Sequence, residues 1–157
     1  MKVIEIMTQP VITITEDTTL REVARIMLQQ GIGGLPVVDH EGNLSGIVTE
    51  TDFTAREKCV PFSVFRAPQL FGRWLGDDAE EVYAKAASIR VREVMSRKVV
   101  TVAENDAIEK VLELMLKYDI NRIPVLSEGK PVGIVARRDL LRVMKDQEAL
   151  AVSSSAR

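Results

Sequence analysis

The scarcest residues narrow the options first. The 157-residue chain has one cysteine, Cys59, and one histidine, His40. A lone cysteine closes no internal disulfide and builds no Cys-rich zinc site, so a reducing, cytoplasmic compartment is the expectation. A lone histidine leaves no His cluster for a metal and no Ser–His or Cys–His pair for nucleophilic catalysis. No charge sign dominates: 21 Lys and Arg stand against 23 Asp and Glu, a net −2. Neutralising phosphates needs a basic excess, so nucleic acid is not expected as a partner. No apolar run is long enough to span a bilayer, and no membrane association is expected. The opening MKVIEIMTQP carries Glu5 and lacks an apolar stretch, so it does not read as a secretory signal. What is abundant is apolar: 46% of residues are hydrophobic, enough for a packed core and too many for bulk disorder. The length predicts one domain or two very small ones.

The chain repeats itself. Val3-Ile4-Glu5-Ile6-Met7-Thr8 lies over Val91-Arg92-Glu93-Val94-Met95-Ser96, and Val11-Ile12-Thr13-Ile14 over Val99-Val100-Thr101-Val102. Val23 then falls on Val111, Met27 on Met115, Ile32 on Ile120 and Pro36-Val37 on Pro124-Val125, always 88 residues apart. One residue is lost after Val38, and Gly46-Ile47-Val48 realigns with Gly133-Ile134-Val135, Asp52 with Asp139. The expected organisation is a first repeat at 1–58, an insert at 59–90, a second repeat at 91–148 and a flexible tail at 149–157.

Each repeat reads β-α-β-β-α. Val11 to Ile14 is a short β-branched strand. Leu20, Val23, Ala24, Met27 and Leu28 recur at helical spacing, with Thr19 and Glu22 as a start signal and Gly31 as a stop. Leu35 to Val38 and Leu44 to Val48 are strands, and a helix begins near Glu50. In the second repeat the strands are Val99 to Val102, Ile123 to Leu126 and Pro131 to Val135. Its helix presents Ile108, Val111, Leu112 and Met115, with Asp106 and Glu109 as the cap. The class is therefore α+β. One such unit buries too little surface alone, which predicts two units packed by a pseudo-twofold. The insert holds three of the four Phe and the only Trp, with a helical stretch over Ala79 to Ser88. Those aromatics either cover the module or form a partner surface.

Chemistry concentrates where each repeat ends. Thr49-Glu50-Thr51-Asp52 reads structurally as a capping box, Thr49 accepting from the helix backbone. The second repeat has Ala136-Arg137-Arg138-Asp139: Ala136 cannot cap, yet the Asp is present. Arg137 and Arg138 open a helix, where cations oppose the dipole and free N–H groups favour an anion. Arg122, at the start of a strand, offers a third cation. A solvated basic patch paired with Asp119 or Asp139 explains the same residues.

Taken in order, these features resemble the cystathionine-β-synthase (CBS) domain: the repeated unit, Met7-Thr8 and Met95-Ser96, Leu35-Pro36-Val37-Val38 and Ile123-Pro124-Val125, Gly46…Asp52 and Gly133…Asp139. Two in tandem resemble a Bateman module, and the insert resembles that of some stand-alone CBS pairs. The resemblance implies a regulatory module that binds AMP, ADP, ATP or S-adenosylmethionine as a regulatory ligand, with no required cofactor and no metal. It implies ribose contacts from Thr49 and Asp52, with Thr51 beside them, and from Asp139, where Ala136 lacks the hydroxyl. It implies a phosphate contact from Arg122, supported by Arg137 and Arg138; the first repeat has Gly34 at the position of Arg122. Val11, Ile47, Val99 and Ile134 would flank the adenine. Family members usually form dimers of modules, so a homodimer acting on an unknown target protein is expected. The alternative is a ligand-free scaffold for dimerisation or partner docking. Nothing reads as an enzyme: Asp77-Asp78 and Glu80-Glu81 look like a solvated helix start, and no nucleophile–base set is visible.

Overall fold

In a computed structural model of the protein, residues 1–54, 84 and 87–145 are described. The aromatic insert and the tail lie outside them, as does most of the helix expected over Ala79 to Ser88. The chain divides into two compact units: Ile12–Lys98, and Met1–Val11 together with Val99–Arg157.

In the unit of residues 12–98, β1 (Ile14–Thr15) leads into α1 (Leu20–Gln30), followed by β2 (Gly34–Val38), β3 (Leu44–Thr49) and α2 (Glu50–Thr54). The sheet order is β1-β2-β3, with β1 parallel and β3 antiparallel to β2. Two-residue β1 is shorter than the strand expected from Val11, and starts at its last residue. Thr19 caps α1 as expected, its hydroxyl accepting from the Glu22 N–H at 3.4 Å. Gly31 ends it at φ 62°, a left-handed position that glycine takes without strain. The buried stripe of α1 is narrower than the spacing suggested: Leu20, Val23 and Met27 are buried, while Leu28 is 83% exposed. At about 100° per residue Leu28 lies roughly 80° round the helix from Leu20, at the outer edge of the apolar arc. The core joins these residues to Ile14, Leu35, Val37 and Val48, and also to Val91 and Met95.

The unit of residues 1–11 and 99–157 repeats this plan. Its elements are β4 (Val102–Ala103), α3 (Ile108–Tyr118), β5 (Arg122–Ser127), β6 (Lys130–Ala136) and α4, helical over 137–145. The order is β4-β5-β6 with the same strand directions. Leu116, the counterpart of Leu28, is 82% exposed for the same geometric reason. The expected cap of α3 is corrected by one residue. Ala107 is the N-cap and makes no side-chain bond. Asp106 accepts from the Ala103 N–H and from Lys110 Nζ, both at 2.8 Å, and the Lys110 ammonium leads in holding its carboxyl below the usual range. Asp119 ends α3 at φ 50°, in the place of Gly31. The core is Val102, Val111, Met115, Ile123, Val125 and Val135 with Val3 and Met7.

Sequence repeats and compact units are thus cut differently. The lead-in of the first repeat, residues 1–8, packs with the body of the second. The lead-in of the second, residues 91–96, packs with the body of the first. Each attaches by the same devices. A short 3₁₀ turn, Val3–Glu5 or Val91–Glu93, drives a valine with 0% exposure into the core. The Thr8 N–H donates to Ile134 O at 2.9 Å and the Ile134 N–H to Thr8 O at 3.1 Å; Ser96 and Ile47 exchange the same pair at 3.0 Å. Around residues 91–97, Arg92 pairs with Asp17, and Arg97 with Glu16 at 3.6 Å.

The lead-in methionines fill notches left by glycine. A Cβ on Gly46 would stand 2.6 Å from Met95 Sδ and 3.0 Å from the Ser96 carbonyl. Around a Cβ on Gly133 the three nearest atoms all belong to Met7, its Sδ at 2.5 Å. Gly46→Ala is expected to cost about 1–3 kcal/mol, because backbone as well as side chain must move. Gly133→Ala should cost less, since a thioether can change rotamer. Urea midpoints of the two variants test the ranking; a costlier Gly133→Ala would show that Met7 cannot yield.

Candidate functional site

The strand-to-helix corner that ends each repeat is built on one backbone scaffold. After β3, the Glu50 N–H donates to Gly33 O at 3.1 Å. After β6, the Arg137 N–H donates to Asn121 O at 2.9 Å. Three residues past each strand end comes the aspartate. Asp52 Oδ2 accepts from the Thr49 N–H at 2.7 Å, and Asp139 Oδ2 from the Ala136 N–H at 2.8 Å. This is the return half of the expected capping box, the first-turn Asp accepting from the N-cap N–H. The Asp side chain reaches back to the strand end, and a hydroxyl at that strand end is not required. That is why Ala136 leaves the scaffold intact.

The two carboxylates differ in their remaining contacts. Asp52 is half-buried, and Oδ2 also accepts from Thr49 Oγ1 at 3.3 Å. The Thr49 hydroxyl lies 2.8 Å from that of Thr51. Among the described residues, Asp52 Oδ1 receives no hydrogen bond. Burial pushes the Asp52 carboxyl above its ordinary 3.8, against the pull of the Thr49 N–H and hydroxyl. Asp139 is almost fully buried, at 4% exposure. Its Oδ1 faces Arg142 at 3.4 Å, a partner the sequence reading missed although the i,i+3 spacing could have suggested it.

The other expected site residues divide between the units. Ile47, Thr49, Thr51 and Asp52 belong to the unit of residues 12–98. Val11, Val99, Arg122, Ile134, Arg137, Arg138 and Asp139 belong to the other. Val11 is therefore grouped with the second repeat's residues, because the lead-in carries it there. Ile47 and Ile134 are half-buried, each bridged to a lead-in at Ser96 or Thr8. Arg122 opens β5, half-buried. Arg137 and Arg138 occupy the first turn of α4, both exposed, and among the described residues neither pairs with Asp119 or Asp139. Chemically, each corner offers a positioned carboxylate, suited to accept hydrogen bonds from a diol. Among the described residues no group of three or more His, Cys, Asp or Glu could hold a metal ion, and no helix is long and apolar enough to cross a membrane.

Comparison with known proteins agrees with this architecture. The CBS domain family model matches residues 3–57 and 91–146. A CBS domain of a membrane protein from Sphaerobacter thermophilus is 39% identical, with a TM-score of 0.72 over 90% of this chain and 86% of that one. The CBS domain pair of protein MJ0100, solved with 5′-methylthioadenosine and S-adenosyl-L-methionine, is 26% identical, with a TM-score of 0.69 over 94% of this chain and 98% of that one. Protein MJ1225 of Methanocaldococcus jannaschii is 33% identical over 86% of this chain, which spans only 44% of that relative's length.

Proposed function

We propose, from the premise that this chain belongs to the CBS domain family, that it is a non-enzymatic regulatory module sensing adenosine-containing ligands and acting in trans on a partner protein. The observation that carries this reading is the Asp52 carboxylate. Its Oδ2 is held by Thr49, while Oδ1 takes no hydrogen bond among the described residues. Keeping a half-buried carboxylate in this state has a desolvation cost. A ribose diol would offset that cost with two O–H donors. The MJ0100 pair, solved with two adenosine derivatives, supports the ligand class. The arginines near Asp139 suit a phosphorylated member of it.

Calorimetric titration with 5′-methylthioadenosine, S-adenosylmethionine and AMP tests the reading. Asp52→Ala should weaken binding about 10- to 150-fold at its site, the loss of a hydrogen bond to a charged group. Asp139→Ala tests the other site. The ionised carboxylate is the acceptor, so affinity at the Asp52 site should be full above its raised pKa and fall as pH drops through it. Stability runs the other way: the folded state favours protonated Asp52, and that contribution is lost as pH rises through the raised value. Both single variants and the double variant binding like wild type would refute the ribose assignment.

Homodimerisation belongs to the same proposal. The interface expected includes the helices that follow Asp52 and Asp139; on α4, Leu141 and Met144, three residues apart, expose 62% and 66% of their surface. Apolar side chains neighbouring on one helix face suit an interface between copies. Sedimentation equilibrium showing only monomer would remove this part.

A further inference from the structure

The two corners share their backbone and differ in what holds the second carboxylate oxygen. In both, Oδ2 accepts the N–H three residues back, at 2.7 Å for Asp52 and 2.8 Å for Asp139. Among the described residues, only Asp139 has a cation on Oδ1, Arg142 at 3.4 Å. The repeat alignment puts Ala55 at the position of Arg142, so the first repeat's sequence carries no cation there. The pair is lopsided: 5% of the Asp139 side chain is exposed, against 61% of Arg142. A carboxylate so buried cannot shed its partner without a replacement. An arginine so exposed can turn into water at little cost.

We propose that Arg142 is a specificity-determining latch on the second corner, competing with a ribose diol for Asp139 Oδ1 and making this site weaker than the Asp52 site for uncharged nucleosides. This rests on the reading of both aspartates as ribose acceptors. A nucleoside entering the second corner must displace the guanidinium before its hydroxyls can bond Oδ1. At the first corner no described residue calls for such an exchange. The latch is an ion pair open to solvent on the arginine side, so salt weakens it. Affinity for an uncharged nucleoside should therefore rise with ionic strength at the Asp139 corner and stay flat at the Asp52 corner.

The test uses the full chain with Asp52→Ala, so that the second corner alone reports, and 5′-methylthioadenosine as the uncharged probe. Adding Arg142→Gln should tighten binding about 2- to 5-fold, the range of an exposed ion pair, and abolish the salt dependence. Arg142→Lys, which keeps the charge, should preserve the salt dependence. If Asp52→Ala alone shows no binding, recovery on adding Arg142→Gln supports the latch, and continued silence overturns it. Equal or weaker binding with Arg142→Gln, in protein whose thermal midpoint matches its parent, also overturns it. The ribose reading fails separately: wild-type protein would bind no adenosine derivative, or neither aspartate substitution would alter binding.

Discussion

Deleting residues 1–8 is expected to unfold the unit that carries the second repeat while sparing the sheet of the first. Those residues supply Val3 and Met7, at 0% and 7% exposure, to a core otherwise drawn from residues after 99. They also supply backbone bonds: the Val3 N–H to Asp106 O at 2.9 Å, the Ile4 N–H to Glu104 O at 3.0 Å, and the Ile108 N–H to Met1 O at 3.1 Å, besides the bridge at Thr8. Two buried apolar side chains are worth about 1.5–3 kcal/mol each, and each hydrogen bond about 1. Their loss approaches the whole stability of a small unit, about 5–15 kcal/mol. Amide hydrogen exchange reads the result directly. Protection should vanish over Arg122–Ser127 and Lys130–Ala136 and persist over Gly34–Val38 and Leu44–Thr49. Protection lost from β2 and β3 instead would mean that the lead-in serves its own repeat.

The second large effect is expected in the strand centres. Leu35 and Ile123 are equivalent residues with 0% exposure, paired across their sheets with Val48 and Val135. Leu35→Ala and Ile123→Ala should each cost about 2–5 kcal/mol, the transfer term plus the cavity left behind. The consequence for the site follows from connectivity. β3 runs directly into Thr49, so loosening the Leu35–Val48 pair should also weaken ligand binding at Asp52 before it affects Asp139. Denaturant unfolding combined with titration near the lowered midpoint checks both parts. A cost below about 1 kcal/mol would mean that the sheet collapses around the cavity.

Much of this was legible because the chain states its pattern twice. Thr19, Gly31 and the i, i+3, i+7 spacing of Leu20, Val23 and Met27 specify a helix by local chemistry alone, and α1 follows them. Strands β2 and β3 follow their β-branched runs to within a residue. The illegible parts involve choices that local pattern leaves equal. Leu28 and Leu116 continue the apolar spacing yet lie exposed, because the arc in contact with the sheet is narrower than the arc of apolar residues. At the candidate site, the sequence reading located Asp52 and Asp139. Of the reciprocal capping box expected there, the half that forms is the Asp accepting from the strand-end N–H, which needs no hydroxyl and so survives at Ala136.

By itself the sequence determined the β-α-β-β-α unit, its duplication and the position of the two aspartates, because periodicity, caps and turn residues act over a few neighbours. Tertiary structure alone decided which body each lead-in serves. Val3…Met7 and Val91…Met95 present the same knobs, and Gly46 and Gly133 offer the same notch, so local chemistry fits either pairing. The path of the chain through space selects one. It likewise decided that the two carboxylates are unequal. The i,i+3 spacing permits Arg142 to reach Asp139, but only the folded helix, with Asp139 buried and Arg142 exposed, makes that contact one a ligand must break.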